Sequence, residues 1–283
     1  STTAKHFQQS YFCWKWCIFI KRLSEIKNTI KPFNKKVEIE GDKSLSIRWA
    51  LLASQSIGKS TSTNLLMSED VLNTLNCLKK LGVKIYLFKN KCEIQGVGIN
   101  GYKYKKNIIL NTGNSGTLAR LIMGLLVHSK NEIKIIGDKS LSNRDFLRVT
   151  KPLEKFGAKF KTNFGKLPII IKGTVNPKPI KYNENRGSAQ CKSTVMLAAL
   201  NTKGETIIKA KRSRNHSELL FKYLKIKITT SNANKYDLIK IEGGRKIKSF
   251  DYKIPSDISS AAFFIVLTAL SKNSKLNMKN INI

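Results

Sequence analysis

Gly41-Asp42-Lys43-Ser44-Leu45-Ser46-Ile47-Arg48 returns further along the chain as Gly137-Asp138-Lys139-Ser140-Leu141-Ser142-Asn143-Arg144, with one mismatch, Ile47 against Asn143. Agreement of that length marks an internal repeat. A second pair follows the same logic. Asp70-Val71-Leu72 leads through Leu78 to Leu81-Gly82-Val83-Lys84, and Asp145-Phe146-Leu147 leads through Leu153 to Phe156-Gly157-Ala158-Lys159. Each reads as an amphipathic helix closed by a C′ glycine and followed by a strand. Strand-like runs lie between and beyond these pairs, at Val37–Glu40, Lys84–Phe88, Ile133–Ile136, Pro168–Lys172, Thr206–Lys209 and Leu238–Glu242. Strands alternating with helices predict an α/β fold assembled from βαβαββ units.

Three further helical stretches, Ser115–Val127, Ser188–Leu200 and Ser256–Leu270, are apolar almost all round in their later turns, which predicts burial. Their first turns are small and polar, with Asn114, Ser115, Gly116 and Thr117, then Ser188 and Gln190, then Ser256, Asp257, Ser259 and Ser260. Ordinary N-capping accounts for any one of them. Three together in one chain also suit a site for small anions, because a helix N-terminus presents free N–H groups and a positive dipole end.

The chain has 283 residues, 41% hydrophobic, enough to bury real cores. Its formal charge of +34 comes from 52 basic residues, of which nine are arginine; the lysines are spread through runs such as Lys103–Asn107 and Lys272–Asn282. A polyanion groove would cluster that charge and interleave aromatic residues, so the excess reads as a solvated, compositionally biased surface and no nucleic-acid partner is expected. The cysteines at 13, 17, 77, 92 and 191 are odd in number and have no C-x-x-C spacing, which suits a reducing compartment, the cytoplasm, and offers no metal site. Tyr11–Ile20 is apolar but ten residues long and carries Lys15, too short for a membrane span, and no small-residue cleavage site follows it. Residues 1–24 are therefore expected to be an extraneous or disordered leader.

Six motifs then stand in order: Gly41-Asp42-Lys43-Ser44-Leu45-Ser46-Ile47-Arg48, Gly113-Asn114-Ser115-Gly116-Thr117-Leu118-Ala119-Arg120, Leu141-Ser142-Asn143-Arg144, Ser188-Ala189-Gln190-Cys191-Lys192, Ser213-Arg214-Asn215-His216-Ser217-Glu218 and Asp257-Ile258-Ser259-Ser260-Ala261. Together they resemble the 5-enolpyruvylshikimate-3-phosphate synthase family, over roughly Val37–Leu270, and its second class in particular. The resemblance implies two domains, each of three βαβαββ units around buried parallel helices. Residues 43–253 would form one complete domain, and 25–42 with 254–283 part of a second, with crossings near Glu40–Lys43 and Lys253–Asp257. It implies a monomeric shikimate-pathway transferase that carries the enolpyruvyl group of phosphoenolpyruvate to the 5-hydroxyl of shikimate 3-phosphate, with no metal or organic cofactor.

By position, the resemblance puts Lys43 on both substrates as the catalytic cation. Ser44, Arg48, Ser188, Ala189, Gln190, Ser213 and Arg214 fall on shikimate 3-phosphate, and Gly116, Thr117, Arg120, Arg144 and again Gln190 on phosphoenolpyruvate. Arg48 is expected to be a ligand contact and not a core group, and Arg120 serves equally well as a satisfied core ion partner. His216 and Glu218 read as local structure, with Glu218 serving its helix's first turn. Asp145 departs from the family's usual proline. The family's proton-transferring carboxylates lie in its last third, so the 283-residue chain alone is expected to be inactive. Two other readings compete: the sister enolpyruvyl transferase acting on a UDP-amino sugar, which has asparagine after the lysine and lacks the serine-alanine-glutamine site, and a basic RNA-binding protein of repeated α/β units.

Overall fold

A computed structural model describes residues 30–281 except Asn90; the leader, with Cys13, Cys17 and Tyr11–Ile20, lies outside the described residues. β1 (Asn34–Val37) precedes a first repeat of α1 (Lys43–Gln55), β2 (Ser56–Thr63), α2 (Glu69–Lys80), β3 (Lys84–Phe88) and β4 (Lys91–Val97). The second repeat runs β5 (Ile108–Asn111), α3 (Gly116–Leu125), β6 (Ile133–Ile136), a one-turn α4 (Lys139–Ser142), α5 (Leu147–Lys155), β7 (Lys159–Asn163) and β8 (Lys166–Lys172). The third runs β9 (Lys181–Glu184), α6 (Ala189–Leu200), β10 (Gly204–Lys211), α7 (His216–Tyr223), β11 (Ile228–Ala233) and β12 (Tyr236–Gly243). β13 (Ile247–Lys248), β14 (Asp251–Lys253), α8 (Ile258–Leu270) and β15 (Lys275–Met278) follow.

The second and third repeats have one topology. Their sheets are ordered β5-β6-β8-β7 and β9-β10-β12-β11, with the first pair parallel and the rest antiparallel. The first repeat lacks a leading strand of its own. β13 and β14 supply it, pairing in parallel with β2 through Ile247 opposite Ser56 and Asp251 opposite Thr61. The chain that leaves the third repeat thus completes the first, and the three-repeat unit closes on itself. It leaves that unit beside its own entry: Asp42 N donates to Pro255 O at 2.8 Å and Asp257 N to Glu40 O at 3.0 Å.

α2 and α5 are the paired amphipathic helices, and Gly82 and Gly157 just past their ends take left-handed backbone at φ +87° and +105°. The buried helices differ in part from expectation. α3 and α6 are enclosed almost completely, and the third enclosed helix is α1, in which every residue from Leu45 to Gln55 is buried. α8 has Ala261 as its one buried residue, and Phe263 and Leu270 stand 66% and 80% exposed. Its composition matches that of α3 and α6, but among the described residues only β15 packs substantially on it, and β15 pairs with β1 in a two-stranded parallel sheet. The strand expected at Val37–Glu40 lies at Asn34–Val37, because beyond Val37 the chain leaves β15 for the crossing to Ser256.

Each repeat closes on a glycine set under the C-terminal end of its enclosed helix. A Cβ on Gly96 would lie 2.6 Å from Ala53 O, one on Gly173 2.5 Å from Val127 O, and one on Gly243 1.8 Å from Ala199 O. None of the three has a positive φ, so close approach and not backbone conformation requires glycine there. Gly243→Ala must move α6 away from β12 and is expected to cost about 2 kcal/mol or more, in the range of overpacked cores. Gly187→Ala, where the nearest atom stands at 3.6 Å and φ is +72°, is expected to cost about 1–2 kcal/mol from backbone strain alone. Urea midpoints compare the two; equal losses would mean that the approach of β12 to α6 is not tight.

Candidate functional site

Capping chemistry starts each enclosed helix in a defined place. Asp42 Oδ1 accepts from Leu45 N at 2.7 Å, Ser115 Oγ from Leu118 N at 3.2 Å and Ser188 Oγ from Cys191 N at 3.3 Å. The hydroxyls at 115 and 188 are therefore caps, and the remaining first-turn amides have no intrahelical acceptor. Side chains tie the starts together. Arg48 on α1 reaches Ser193 on α6, Arg120 on α3 reaches Gln190 on α6, and at the far end Asn201 Nδ2 donates to Leu125 O at 3.3 Å. α3 and α6 thus run side by side in the same direction, and the N-terminal turns of all three helices meet.

Around that meeting point the expected residues fall into two clusters. In the first, Arg48 donates from Nε to Ser217 Oγ at 2.9 Å, from Nη2 to Ser193 Oγ at 3.1 Å, and from Nη1 to both Oγ and the carbonyl of Ser44. Four of its five N–H donors are engaged and the residue is 4% exposed. The expectation that Arg48 is not a core group is corrected: α1 carries it inside, where its removal would leave a cavity and take a donor from Ser44, Ser193 and Ser217. Burial pulls its pKa down, with Arg214 acting in the same sense and Asp42 and Glu218 opposing. His216 Nδ1 lies 3.3 Å from Ser44 Oγ. Ser213 Oγ is buried with no hydrogen-bond partner among the described residues, and Arg214 stands exposed beside it.

The second cluster joins α3, α6 and the Arg144 turn. Gln190 Nε2 donates to Thr117 Oγ1 at 3.0 Å while its Oε1 accepts from Arg120 Nη1 at 2.9 Å. Arg120 also donates to Gly116 O at 3.2 Å and lies 5.0 Å over the Phe146 ring. Its partners are an amide, a carbonyl and a ring, and among the described residues none is a carboxylate; both hydrogen bonds come from Nη1. Burial lowers its pKa, and Arg144 and Arg148 push the same way. Arg144 is the freer cation, donating to Asn114 Oδ1 at 3.3 Å in an exposed position. A Cβ on Gly116 would meet Arg120 Nη1 at 2.7 Å and Arg144 Nη1 at 3.0 Å, so the glycine lets both guanidinium groups close over the start of α3. Asp145 turns its carboxylate to its own backbone, accepting from Leu147 N at 2.8 Å.

Ser188, Ala189 and Gln190 open α6 between the clusters. Glu184, 3% exposed, fixes that turn by accepting from Arg186 N at 3.2 Å and Ser188 N at 2.9 Å. Lys43 joins neither cluster, and its Nζ pairs with Asp70 at the start of α2, 3.2 Å away. Asp70, Glu184, Ser193 and Ser217 were not singled out from the sequence. Asp70 stands in the duplicated helix motif and Ser193 three residues after Gln190, on the same face of α6, which were the available signals. Glu218 is the acidic residue of the first turn of α7, and its carboxylate pairs with Lys192.

The fold defines an α/β protein of three βαβαββ repeats, enclosed helices and a cationic surface where those helices begin. The family model for EPSP synthase (3-phosphoshikimate 1-carboxyvinyltransferase) matches residues 27–283, and the chain belongs to that family. It is 41% identical over 261 residues to the 3-phosphoshikimate 1-carboxyvinyltransferase of Ruthia magnifica subsp. Calyptogena magnifica, an alignment covering 91% of this chain and 59% of that protein. It is 39% identical over 251 residues to the same-named protein of Caldicellulosiruptor saccharolyticus, covering 87% and 57%. The solved structure of EPSP synthase from Acinetobacter baumannii superposes with a TM-score of 0.82 at 34% identity, covering 90% of this chain and 57% of that one. The chain thus spans somewhat under three fifths of the length of the relatives it matches. Among the described residues no helix is long and apolar enough to cross a membrane.

His216 gives the site a pH signature. Burial is the main cause that holds its pKa below the ordinary 6.5; Arg48 and Arg214 act with it, and Asp42 and Asp257 against it. A histidine depressed in the folded state contributes stability that is complete above about pH 6.5 and lost as pH falls through the folded value. The melting temperature is therefore expected to drop between pH 7 and pH 5, and less steeply in His216→Asn. Parallel profiles would show that His216 protonates without resistance.

Proposed function

We propose that this chain carries the greater part of an enzyme that transfers the enolpyruvyl group of phosphoenolpyruvate to the 5-hydroxyl of shikimate 3-phosphate, releasing phosphate. The observation that carries the reading is the meeting of three helix N-termini at two adjoining cationic clusters bridged by Gln190 and Ser193 of α6. Two anionic substrates side by side fit such a surface. The Ser44, Arg48, Ser188–Gln190, Ser213 and Arg214 cluster would take shikimate 3-phosphate, and the Gly116, Thr117, Arg120, Arg144 and Gln190 cluster phosphoenolpyruvate. The hydroxyl oxygen gives up its proton as it attacks C2 of phosphoenolpyruvate, and C3 takes up a proton. The adduct then loses a proton from C3 and expels phosphate to restore the double bond, so that on balance the hydroxyl proton leaves with the phosphate as hydrogen phosphate. Lys43, released from Asp70, would neutralise charge between the substrates.

Residues 43–253 are proposed as one domain and the β1, α8 and β15 region as part of a second, whose remaining elements would cover the exposed face of α8. Closure of the two domains would exclude water from the site. Cytoplasmic location and a monomeric state complete the proposal. Asparagine after Lys43 and a changed Ser188–Gln190 site, expected of the UDP-amino-sugar enzyme, do not occur here.

Calorimetry tests the binding half directly. The 283-residue chain is expected to bind shikimate 3-phosphate weakly and to release no phosphate when phosphoenolpyruvate is added. Lys43→Ala, a change at an exposed side chain, is expected to weaken that binding at least fivefold with an unchanged melting temperature. Stabilisation by RNA but not by shikimate 3-phosphate in a thermal-shift comparison would overturn the reading.

Glyphosate, the inhibitor that takes the phosphoenolpyruvate site in this family, tests the other half. Second-class motifs argue for tolerance and Gly116 against it, because a methyl there would push on Arg120 and Arg144. Sensitivity is expected to be intermediate in an enzyme extended to the length of its relatives. Gly116→Ala is expected to raise the inhibition constant at least tenfold and the Michaelis constant for phosphoenolpyruvate by less, since one methyl in a tight pocket discriminates by about 1–3 kcal/mol. Unchanged inhibition would remove the start of α3 from the phosphoenolpyruvate site.

A further inference from the structure

We propose that the buried pair Lys192–Glu218 is a positioning device for Arg48, locking α7 onto α6 so that Ser193 and Ser217 hold the guanidinium where a ligand carboxylate would meet it. The inference rests on the functional reading above and adds residues to it. Lys192 Nζ lies 2.6 Å from Glu218 Oε1, with side-chain exposures of 0% and 7%. An ammonium placed so deep demands its carboxylate, and breaking one side of such a pair leaves an uncompensated charge.

The pair lies next to a second link between the same two helices. Lys192 is followed on α6 by Ser193, and Glu218 is preceded on α7 by Ser217, whose Oγ donates to Ser193 Oγ at 2.8 Å. A guanidinium can only donate, so both hydroxyls accept from Arg48. Arg48 Nε donates a hydrogen bond to Ser217 Oγ and Nη2 one to Ser193 Oγ, and Ser217 Oγ donates to Ser193 Oγ. The start of α7 has no side-chain cap of its own, so these links to α6 anchor it. Four groups bear on the arginine: Asp42 from the cap of α1, Glu218 and Arg214 from the α7 side, and His216 when protonated. Glu218 is the carboxylate among them that faces both buried cations.

A pair serving only the fold can be exchanged for apolar side chains of similar size without loss, whereas a positioning pair cannot. The test compares wild type, Glu218→Gln and the double variant Lys192→Met/Glu218→Leu in the 283-residue chain. Each is read by melting temperature and by the dissociation constants of shikimate 3-phosphate and of inorganic phosphate, which has no carboxylate to meet Arg48. Glu218→Gln is expected to lose melting temperature, and the double variant to recover most of it. Both are expected to bind shikimate 3-phosphate at least tenfold more weakly, with inorganic phosphate changed less than twofold. A folded variant that binds shikimate 3-phosphate like wild type overturns the inference, as does equal weakening of both ligands. If the double variant does not fold, Glu218→Gln, which keeps the shape of the side chain, decides by the same comparison. Wild-type chain that binds neither ligand overturns the functional reading and this inference with it.

Discussion

Enclosure of α1, α3 and α6 on all sides is the constraint on which the rest of the structure depends. A helix without a polar face must be covered all round. Three sheets and the outer helices α2, α5 and α7 meet that demand here. The cover fits closely only because Gly96, Gly173 and Gly243 let the end of each sheet approach the C-terminal turn of the helix it covers. With those ends held, the opposite ends come together, and dipoles that solvent would screen on separate helices point at one surface. The cationic clusters follow from the packing, since Arg48 and Arg120 arise from the helices themselves one to two turns from their starts.

Burying arginine so near a helix start has a chemical consequence. Arg48 spends most of its donors on Ser44, Ser193 and Ser217, while Arg120 commits Nη1 to Gln190 and Gly116 and lies over the Phe146 ring. Both are held in place before any ligand arrives, and both are pulled down in pKa by the loss of water. Cations fixed in advance need no reorganisation when negative charge approaches, which is where electrostatic stabilisation gains its effect. Lys43 and Arg144 are the exposed counterparts, one on Asp70 and one on Asn114.

The two copies of the Gly-Asp-Lys-Ser-Leu-Ser motif fall at non-equivalent places, the start of the enclosed α1 and the one-turn α4, so the repeat was legible through the amphipathic period of α2 and α5 with their C′ glycines, which also marked the ends of those helices. Three things were hidden. The leading strand of the first repeat comes from Ile247–Lys253, short segments with no strong period that reach β2 only through the closed topology. α1 reads as mixed because Ser46, Arg48, Ser54 and Gln55 interrupt its apolar run, yet each is buried; hydrogen bonds to distant segments engage Ser46, Arg48 and Ser54, and sequence spacing does not report those. α8 fails in the opposite sense. Its composition demands cover that the described residues do not give, so a correct reading of its chemistry led to a wrong statement of its exposure.

The site divides along the same line. Residues whose role follows from local form, such as the capping Ser188 and the small Gly116, could be picked out by position within a motif. Residues whose role is to hold another residue could not, because Ser217 matters through Arg48, 169 positions away in sequence. α6 brings the two kinds together. Gln190 and Ser193 lie on one face of it and reach the two clusters separately, so a small rotation of this helix would disturb both at once. Gly243 under its far end and Lys192–Glu218 along its flank each oppose such a rotation. The least substitutable positions around the proposed site are therefore those that keep α6 still, and several of them touch no ligand.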